Sequence, residues 1–195
     1  MFKRAIVVLS LVASTVRAQS ADTVTSSAGY WKRLGAGVAT SILIHEAGHI
    51  TAAYTSGAKP SFGFDKARPT VYSGIDSRRY PRRQFWFSSA GLNIQSLLDE
   101  AILDIPHSRG SAFERGLLGG GIGTTVFYLT IGRTGSVSDV QFMAQTGVMT
   151  KTQVTLLYGS VALMHAFRVA RNPAYDNFFA RPSAHGVDLG FDHAF

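Results

Sequence analysis

Two histidines and a glutamate with the spacing of a metal site lie in one short stretch of this chain, His45-Glu46-Ala47-Gly48-His49. In a helix, residues i and i+4 lie one turn apart on the same face, so both imidazoles can reach one ion. Glu46 would then face water at that ion and could accept its proton. Zinc in a catalytic site takes three protein ligands and keeps one open position, so a third ligand must come from elsewhere. The pattern predicts a zinc site with Glu46 as the general base.

The residues that flank this pentapeptide are apolar: Ile42, Leu43, Ile44 and Ile50. Histidine and glutamate are costly in such surroundings, which favours a functional reason for their presence. The small Ala47 and Gly48 would also let a second backbone approach the site closely. The alternative interpretation is a chance match, or histidines that only form hydrogen bonds inside a helix bundle.

The composition limits the classes of protein and of site. The 195 residues suit one domain, with 46% hydrophobic and only 16% charged residues, whereas soluble domains average roughly 25% charged. We therefore expect a membrane-associated protein. The net charge is +7, but the basic residues gather in loops beside apolar segments, so we expect membrane lipid and no nucleic acid as a partner. The chain has no cysteine, so any metal must be held by histidine and carboxylate.

The amino terminus has the pattern of a targeting segment. Lys3 and Arg4 precede an apolar run at residues 5–13, and Val16-Arg17-Ala18 fits the site that a signal peptidase reads. We predict a signal peptide at residues 1–18, cleaved after Ala18, with an uncleaved anchor as the alternative. A polar lead-in at residues 19–33 follows. The expected location is a membrane, the bacterial inner membrane, reached by export.

Four apolar segments follow, and each is close to the length needed to span a bilayer. They cover residues 34–56, 85–105, 113–131 and 154–169. They predict a mainly α-helical fold, a polytopic membrane bundle of about four helices over residues 34–170, with a C-terminal tail at residues 171–195. The first mature helix carries the histidines, and the glycine-rich run at residues 119–123 indicates close helix packing. Between the first two helices, residues 70–72 are expected to form a short strand.

Three elements together resemble the site-2 protease family of intramembrane zinc metallopeptidases. The segment from Leu43 to His49, followed by Ala52-Ala53, resembles the HExGH helix of that family. The segment from Ser89 to Gln95 resembles the second element, although Leu92 replaces its proline and Gln95 stands where its asparagine would fall. Gly135-Ser136-Val137-Ser138-Asp139-Val140 resembles the element that carries the aspartate ligand. The resemblance covers residues 34–147.

The resemblance implies a zinc-dependent endopeptidase. His45, His49 and Asp139 would bind zinc, Glu46 would activate water, and Gln95 or Asn93 would orient the substrate. The expected substrate is a transmembrane or juxtamembrane segment of another protein.

Three alternatives remain open. Asp139 could instead cap a helix that starts near Val140, and Glu100, with Asp99 and Asp104 close by, could supply the third ligand, as in soluble HExxH peptidases. Glu100 as the third ligand would indicate an exported soluble or peripheral peptidase. A third reading is a membrane protein that keeps the fold without catalysis. The remaining histidines are further possible ligands: His107, His165, His185 and His193.

Overall fold

The computed structural model describes residues 27–65, 68–135, 138–175, 178–183 and 186–191. The described helices are α1 (Ser27–Thr55), α2 (Pro81–Asp104), α3 (Ala112–Leu129), α4 (Asp139–Gln145) and α5 (Lys151–Ala170). The described strands are β1 (Ser61–Asp65), β2 (Arg68–Tyr72), β3 (Phe178–Ser183) and β4 (Gly186–Phe191). β1 pairs with β2 and β3 pairs with β4, both antiparallel. The predicted signal peptide lies outside the described residues.

The predicted helical segments correspond to α1, α2, α3 and α5, and the predicted strand lies within β2. Helix α1 begins at Ser27, inside the segment expected to be a polar lead-in. Local sequence signals explain where three of these helices begin. Pro81 opens α2, Ser111 caps α3, and Thr150 with Gln153 forms a capping box on α5, all of which are common ways to begin a helix.

The predicted polytopic membrane bundle is wrong. Among the described helices, none is both long enough and apolar enough to cross a bilayer. The physical reason is that polar side chains interrupt each apolar segment, such as His45, Glu46 and His49 in α1 and Gln95 and Asp99 in α2. The same finding contradicts the expected location in the bacterial inner membrane, which depended on those helices.

Helices α1 and α3 approach until their backbones touch. A Cβ atom added to Gly37 would lie 2.1 Å from the carbonyl oxygen of Phe113, and one added to Gly116 would lie 2.1 Å from that of Leu34. One turn further on, a Cβ on Gly120 would lie 2.8 Å from the Cβ of Ser41. The close packing expected of the glycine-rich run is confirmed at Gly120, whereas a Cβ on Gly123 would meet nothing within 4 Å. Since positions 37, 41, 45 and 49 share one helix face, this contact directs both histidines into the protein.

The core holds α4 in place against the longer helices. Val140 and Met143 of α4 are fully buried, and they pack with Leu92 of α2 and with Val154 and Tyr158 of α5. A second cluster joins α2, α3 and α5; it includes Leu98, Ile102, Leu117, Leu118 and Val169. The first cluster matters for the site because it fixes the start of α4, where Asp139 lies.

A buried polar network joins α2 to α5. His165 lies between two carboxylates, with Nδ1 3.5 Å from Oδ2 of Asp99 and Nε2 3.1 Å from Oε1 of Glu100. Arg168 forms ion pairs with Glu100 and Asp104. Burial raises the pKa of Asp99 to about 6, against the opposing effect of His165. Burial alone would lower the pKa of His165, but Asp99 and Glu100 raise it above its ordinary value.

We expect Gly37→Ala to destabilise the protein by about 1–3 kcal/mol, because the new methyl group collides with the α3 backbone, which cannot move freely. Gly35→Ala is the matched control. A Cβ at Gly35 meets nothing within 4 Å, so alanine there should stabilise the helix by about 0.5–1 kcal/mol. Urea unfolding of both variants gives the two values. A Gly37→Ala protein as stable as Gly35→Ala would contradict the backbone contact.

The Asp99 network predicts a pH-dependent stability. Because the folded-state pKa of Asp99 exceeds its unfolded value of 3.8, the folded state holds this proton more tightly and loses stability as the pH rises through about 6. His165 acts in the same direction at higher pH. Asp99→Asn should match the wild type at pH 4 and gain on it by about 2–3 kcal/mol at pH 7.5. Urea unfolding at each pH tests this, and a difference that stays constant between pH 4 and pH 7.5 would rule it out.

Candidate metal centre

Three buried side chains converge from two helices. His45 and His49 come from α1, and Asp139 is the first residue of α4. Oδ2 of Asp139 lies 3.0 Å from Nε2 of His45 and 3.3 Å from Nε2 of His49, and the two Nε2 atoms are 3.1 Å apart. These residues are positioned to bind a metal ion. Bonds of about 2.0–2.2 Å in tetrahedral geometry separate ligand atoms by roughly 3.3–3.6 Å, so the three atoms need only move apart by a few tenths of an ångström to hold one ion.

Hydrogen bonds behind the imidazoles decide which nitrogen faces the centre. Nδ1 of His45 lies 2.9 Å from Oε1 of Gln95, whose amide nitrogen donates to the carbonyl and hydroxyl oxygens of Ser41. Oε1 must therefore accept from His45. Nδ1 of His49 donates to the carbonyl oxygen of Phe87 at 2.8 Å. Both Nε2 lone pairs thus face the Asp139 carboxylate, an arrangement that is favourable when a cation or a proton lies between them.

The charges at the centre are strongly coupled. Burial would raise the pKa of Asp139, but His49 and His45 hold it well below its usual range. Burial would lower the pKa of His49, but Asp139 raises it to about 9. The carboxylate therefore stays ionised over the physiological pH range. A proton on His49 occupies the place that a metal ion would take, so protons and metal compete for the same atoms.

Glu46 lines the same cavity as the three candidate ligands. Its side chain is half-buried, and the main-chain N–H of Val71 in β2 acts on its carboxylate so as to lower the pKa of Glu46. Burial raises the pKa of Glu46, while His45 and His49 oppose this effect and Asp139 adds to it. A carboxylate with a raised pKa accepts a proton more readily than an ordinary glutamate, which suits a general base.

The cavity in front of these side chains has a volume of about 710 Å³ and is bounded by α1, β2, α2, α3 and α4. Much of its wall is apolar, with Val38, Ile42, Val71, Ile75, Phe87 and Phe142 among the lining residues. Volumes of roughly 300–1,000 Å³ are typical of small-molecule sites. The cavity can therefore hold a short stretch of polypeptide with its side chains.

Two glycines permit the close fit around the histidines. A Cβ at Gly48 would lie 2.7 Å from the carbonyl oxygen of Ala90, and a Cβ at Gly91 would lie 2.5 Å from the imidazole ring of His45. The inference that Gly48 allows a second backbone to approach is thus confirmed. The contact with His45 also explains why position 91 of the Ala90-Gly91 pair is a glycine, because any larger side chain there would displace a candidate ligand.

The two amides expected to orient a substrate lie behind or beside the centre. Neither Gln95 nor Asn93 is among the residues that line the cavity. Gln95 is 1% exposed and bonded to His45 and Ser41 as described above. Oδ1 of Asn93 accepts a hydrogen bond from the hydroxyl of Tyr158 at 2.7 Å. In this arrangement Gln95 orients a histidine, and neither amide is open to a substrate in the cavity.

The competing ligands lie elsewhere. Glu100 faces α5 in the network with His165 and Arg168. His107 pairs with Glu114 at 3.2 Å, and His185 and His193 lie outside the described residues. The helix-capping alternative for Asp139 is also answered, because Ser138 accepts the hydrogen bond from the main-chain N–H of Gln141. The Asp139 side chain is left free to face the histidines.

Sequence reasoning missed three contributors to the centre. The ring of Tyr128 in α3 stacks on His45, with centroids 5.5 Å apart and planes 9° from parallel. The carbonyl of Phe87 and the N–H of Val71 are main-chain groups, which carry no side-chain signal in a sequence. The tyrosine could not be selected either, since an aromatic residue in an apolar helix usually packs in the core.

Fold and site together define a mainly helical protein with a buried centre of two histidines and one carboxylate beside an apolar cavity. No family model, curated protein or solved structure matches this chain. The likeness to site-2 proteases therefore depends on the three sequence elements alone.

We expect Gln95→Leu to weaken metal binding about 10- to 100-fold, the usual effect of removing the hydrogen-bond partner of a ligating histidine. Asn93→Leu is the matched control, since it changes an amide two residues away that does not contact the histidines. Competition with a chromophoric chelator, with zinc as the probe, measures both affinities. Two further variants give the limits of zinc affinity in this assay. Asp139→Ala should lose the ion, and Glu100→Ala should bind it as the wild type does. Equal affinities for the two amide variants would contradict the role of Gln95.

Proposed function

We propose that this protein is a zinc-dependent peptidase that hydrolyses peptide bonds in polypeptides. The observation that carries the proposal is the position of Glu46, which opens onto the same apolar cavity as His45, His49 and Asp139. A metal site with only a structural role needs no general base and no open cavity. Two imidazoles and one carboxylate form a donor set that suits zinc.

Zinc held in this way supplies Lewis-acid chemistry, which lowers the pKa of water and polarises a peptide carbonyl. The protein's own residues have separate tasks. Glu46 accepts the proton from the attacking water and returns it to the leaving amine. The main-chain N–H of Val71 favours the ionised form of the Glu46 carboxylate. Gln95 and the Phe87 carbonyl keep the Nε2 atoms of His45 and His49 directed at the metal site.

The apolar wall supports a polypeptide substrate. Val71, Ile75 and Phe87 line the part of the cavity beside β2, where they would shelter apolar side chains and exclude bulk water from the reacting bond. The expectation that the substrate is a membrane segment comes from the resemblance alone, and it stays a prediction.

Glu46→Gln should reduce hydrolysis by about 10²- to 10⁴-fold, because the amide has the same shape but cannot accept the proton. Its zinc content should equal that of the wild type, since the three candidate ligands are unchanged. Turnover of a library of quenched fluorescent peptides, measured beside metal analysis, gives both quantities. Glu100→Gln makes the same chemical change outside the cavity and should leave turnover unchanged.

Chelation provides an independent check on the same samples. Removal of zinc should abolish turnover by the wild type, and one equivalent of zinc should restore it. A wild-type protein that binds zinc but cleaves no peptide would overturn the peptidase proposal and leave a metal-binding protein. Equal turnover by Glu46→Gln and the wild type would exclude Glu46 as the base.

A further inference from the structure

Four arginines form a cluster between β2 and the first turn of α2, and we call Arg78, Arg79, Arg82 and Arg83 the arginine patch. All four side chains are exposed. Within the described part of the chain, the ion pairs found involve other residues, and none joins this patch to a carboxylate. The nearest acid in sequence, Asp76, accepts hydrogen bonds from the main-chain N–H groups of Arg78 and Arg79.

The patch is held together by an aromatic ring. The guanidinium carbons of Arg79 and Arg83 lie 5.2 Å and 4.9 Å from the centroid of the Tyr80 ring. This cation–π contact limits the freedom of two long side chains that would otherwise move apart under like-charge repulsion. Less side-chain entropy is then lost when an anion binds to the patch.

The patch gives no evident benefit to the fold. Arg82 and Arg83 lie in the first turn of α2, which contains no acidic residue, and Tyr80 provides no side-chain cap. Positive charge near the amino terminus of a helix is unfavourable because it opposes the helix dipole. A surface that gathers four cations at this point is therefore explained better by what it binds than by stability.

The two ends of the arginine patch adjoin residues that line the cavity of the candidate metal centre. Ser77, which precedes Arg78, and Gln84, which follows Arg83, both line that cavity. The adjoining wall is apolar, formed by Val71, Ile75 and Phe87. An extended chain that places apolar side chains in the cavity would thus carry its neighbouring residues across the patch.

We propose that the arginine patch binds acidic side chains of the substrate, so that the protein selects polypeptides in which Asp or Glu residues flank an apolar stretch. This proposal depends on the proposed peptidase function for the cleavage step, but not for binding. Guanidinium groups suit carboxylates because their N–H donors match the two oxygens in paired hydrogen bonds. Nucleic acid fits less well, because the Tyr80 ring is already covered by guanidinium groups and cannot readily stack on a base.

The test uses three labelled peptides with one shared apolar core and with flanks of Glu, Gln or Lys. Binding is measured by fluorescence anisotropy on the zinc-loaded Glu46→Gln protein, which should not cleave the peptides. The Glu-flanked peptide should bind about tenfold more tightly than the Gln-flanked one at low salt, and this preference should shrink as salt screens exposed charges. The Lys-flanked peptide should bind most weakly.

The decisive variant adds Arg82→Gln and Arg83→Gln to the Glu46→Gln protein. This variant should reduce the preference for the Glu-flanked peptide to less than about threefold. The matched control removes two positive charges elsewhere, with Arg171→Gln at another exposed arginine that lies over an aromatic ring, that of Phe167, and Lys32→Gln at an exposed lysine of α1. It should leave the preference unchanged. An equal loss in both variants would mean that only net charge matters, which would overturn the proposal. Tighter patch-dependent binding of a single-stranded oligonucleotide would overturn it too.

Parallel cleavage assays on the otherwise wild-type protein separate the two proposals. If no peptide is cleaved but the acidic preference depends on Arg82 and Arg83, the patch proposal stands and the peptidase proposal fails. If all three peptides bind and are cleaved equally well, the peptidase proposal stands and the patch proposal fails.

Discussion

The convergence of two imidazoles and a carboxylate within 3.0–3.3 Å, at a buried point, is the constraint on which the rest of this structure depends. Such a group of atoms is unfavourable unless a cation or a proton compensates it. Burial also requires that neighbouring helices come close. Gly48 and Gly91 meet this need at the centre, while Gly37 of α1 and Gly116 of α3 meet it about two turns before His45, where these two helices touch.

A second layer of polar residues lies behind the centre and supports it. Ser41 and Gln95 serve His45, and Asp99 lies one turn beyond Gln95 on α2, where it meets His165. A buried polar group is tolerated when it has partners. This second layer explains why α1, α2 and α5 look apolar on average and yet fail as bilayer spans, because each has polar side chains that support the centre or the α2–α5 network.

The cavity brings three chemically different surfaces close together. One part of its lining carries the metal site and Glu46, the wall beside β2 is apolar, and two further lining residues, Ser77 and Gln84, adjoin the arginine patch in sequence. A polypeptide is the class of ligand that can satisfy all three at once, because it offers a polar backbone, apolar side chains and charged neighbours within a few residues. The proposed chemistry and the proposed selectivity therefore follow from one arrangement of α1, β2 and α2.

The sequence by itself determined the features that depend on local geometry. Helix periodicity places His45 and His49 on one face and Glu46 beside them, so two candidate ligands and a base could be read from five residues. Only the tertiary structure decided between Asp139 and Glu100, because each is an acidic residue in or beside a helix and the contact with His45 spans 94 residues for Asp139. It also assigned Gln95 to His45, brought main-chain groups of Phe87 and Val71 to the centre, and overturned the membrane bundle. All of these depend on which helix faces meet, and no local pattern of residues encodes that.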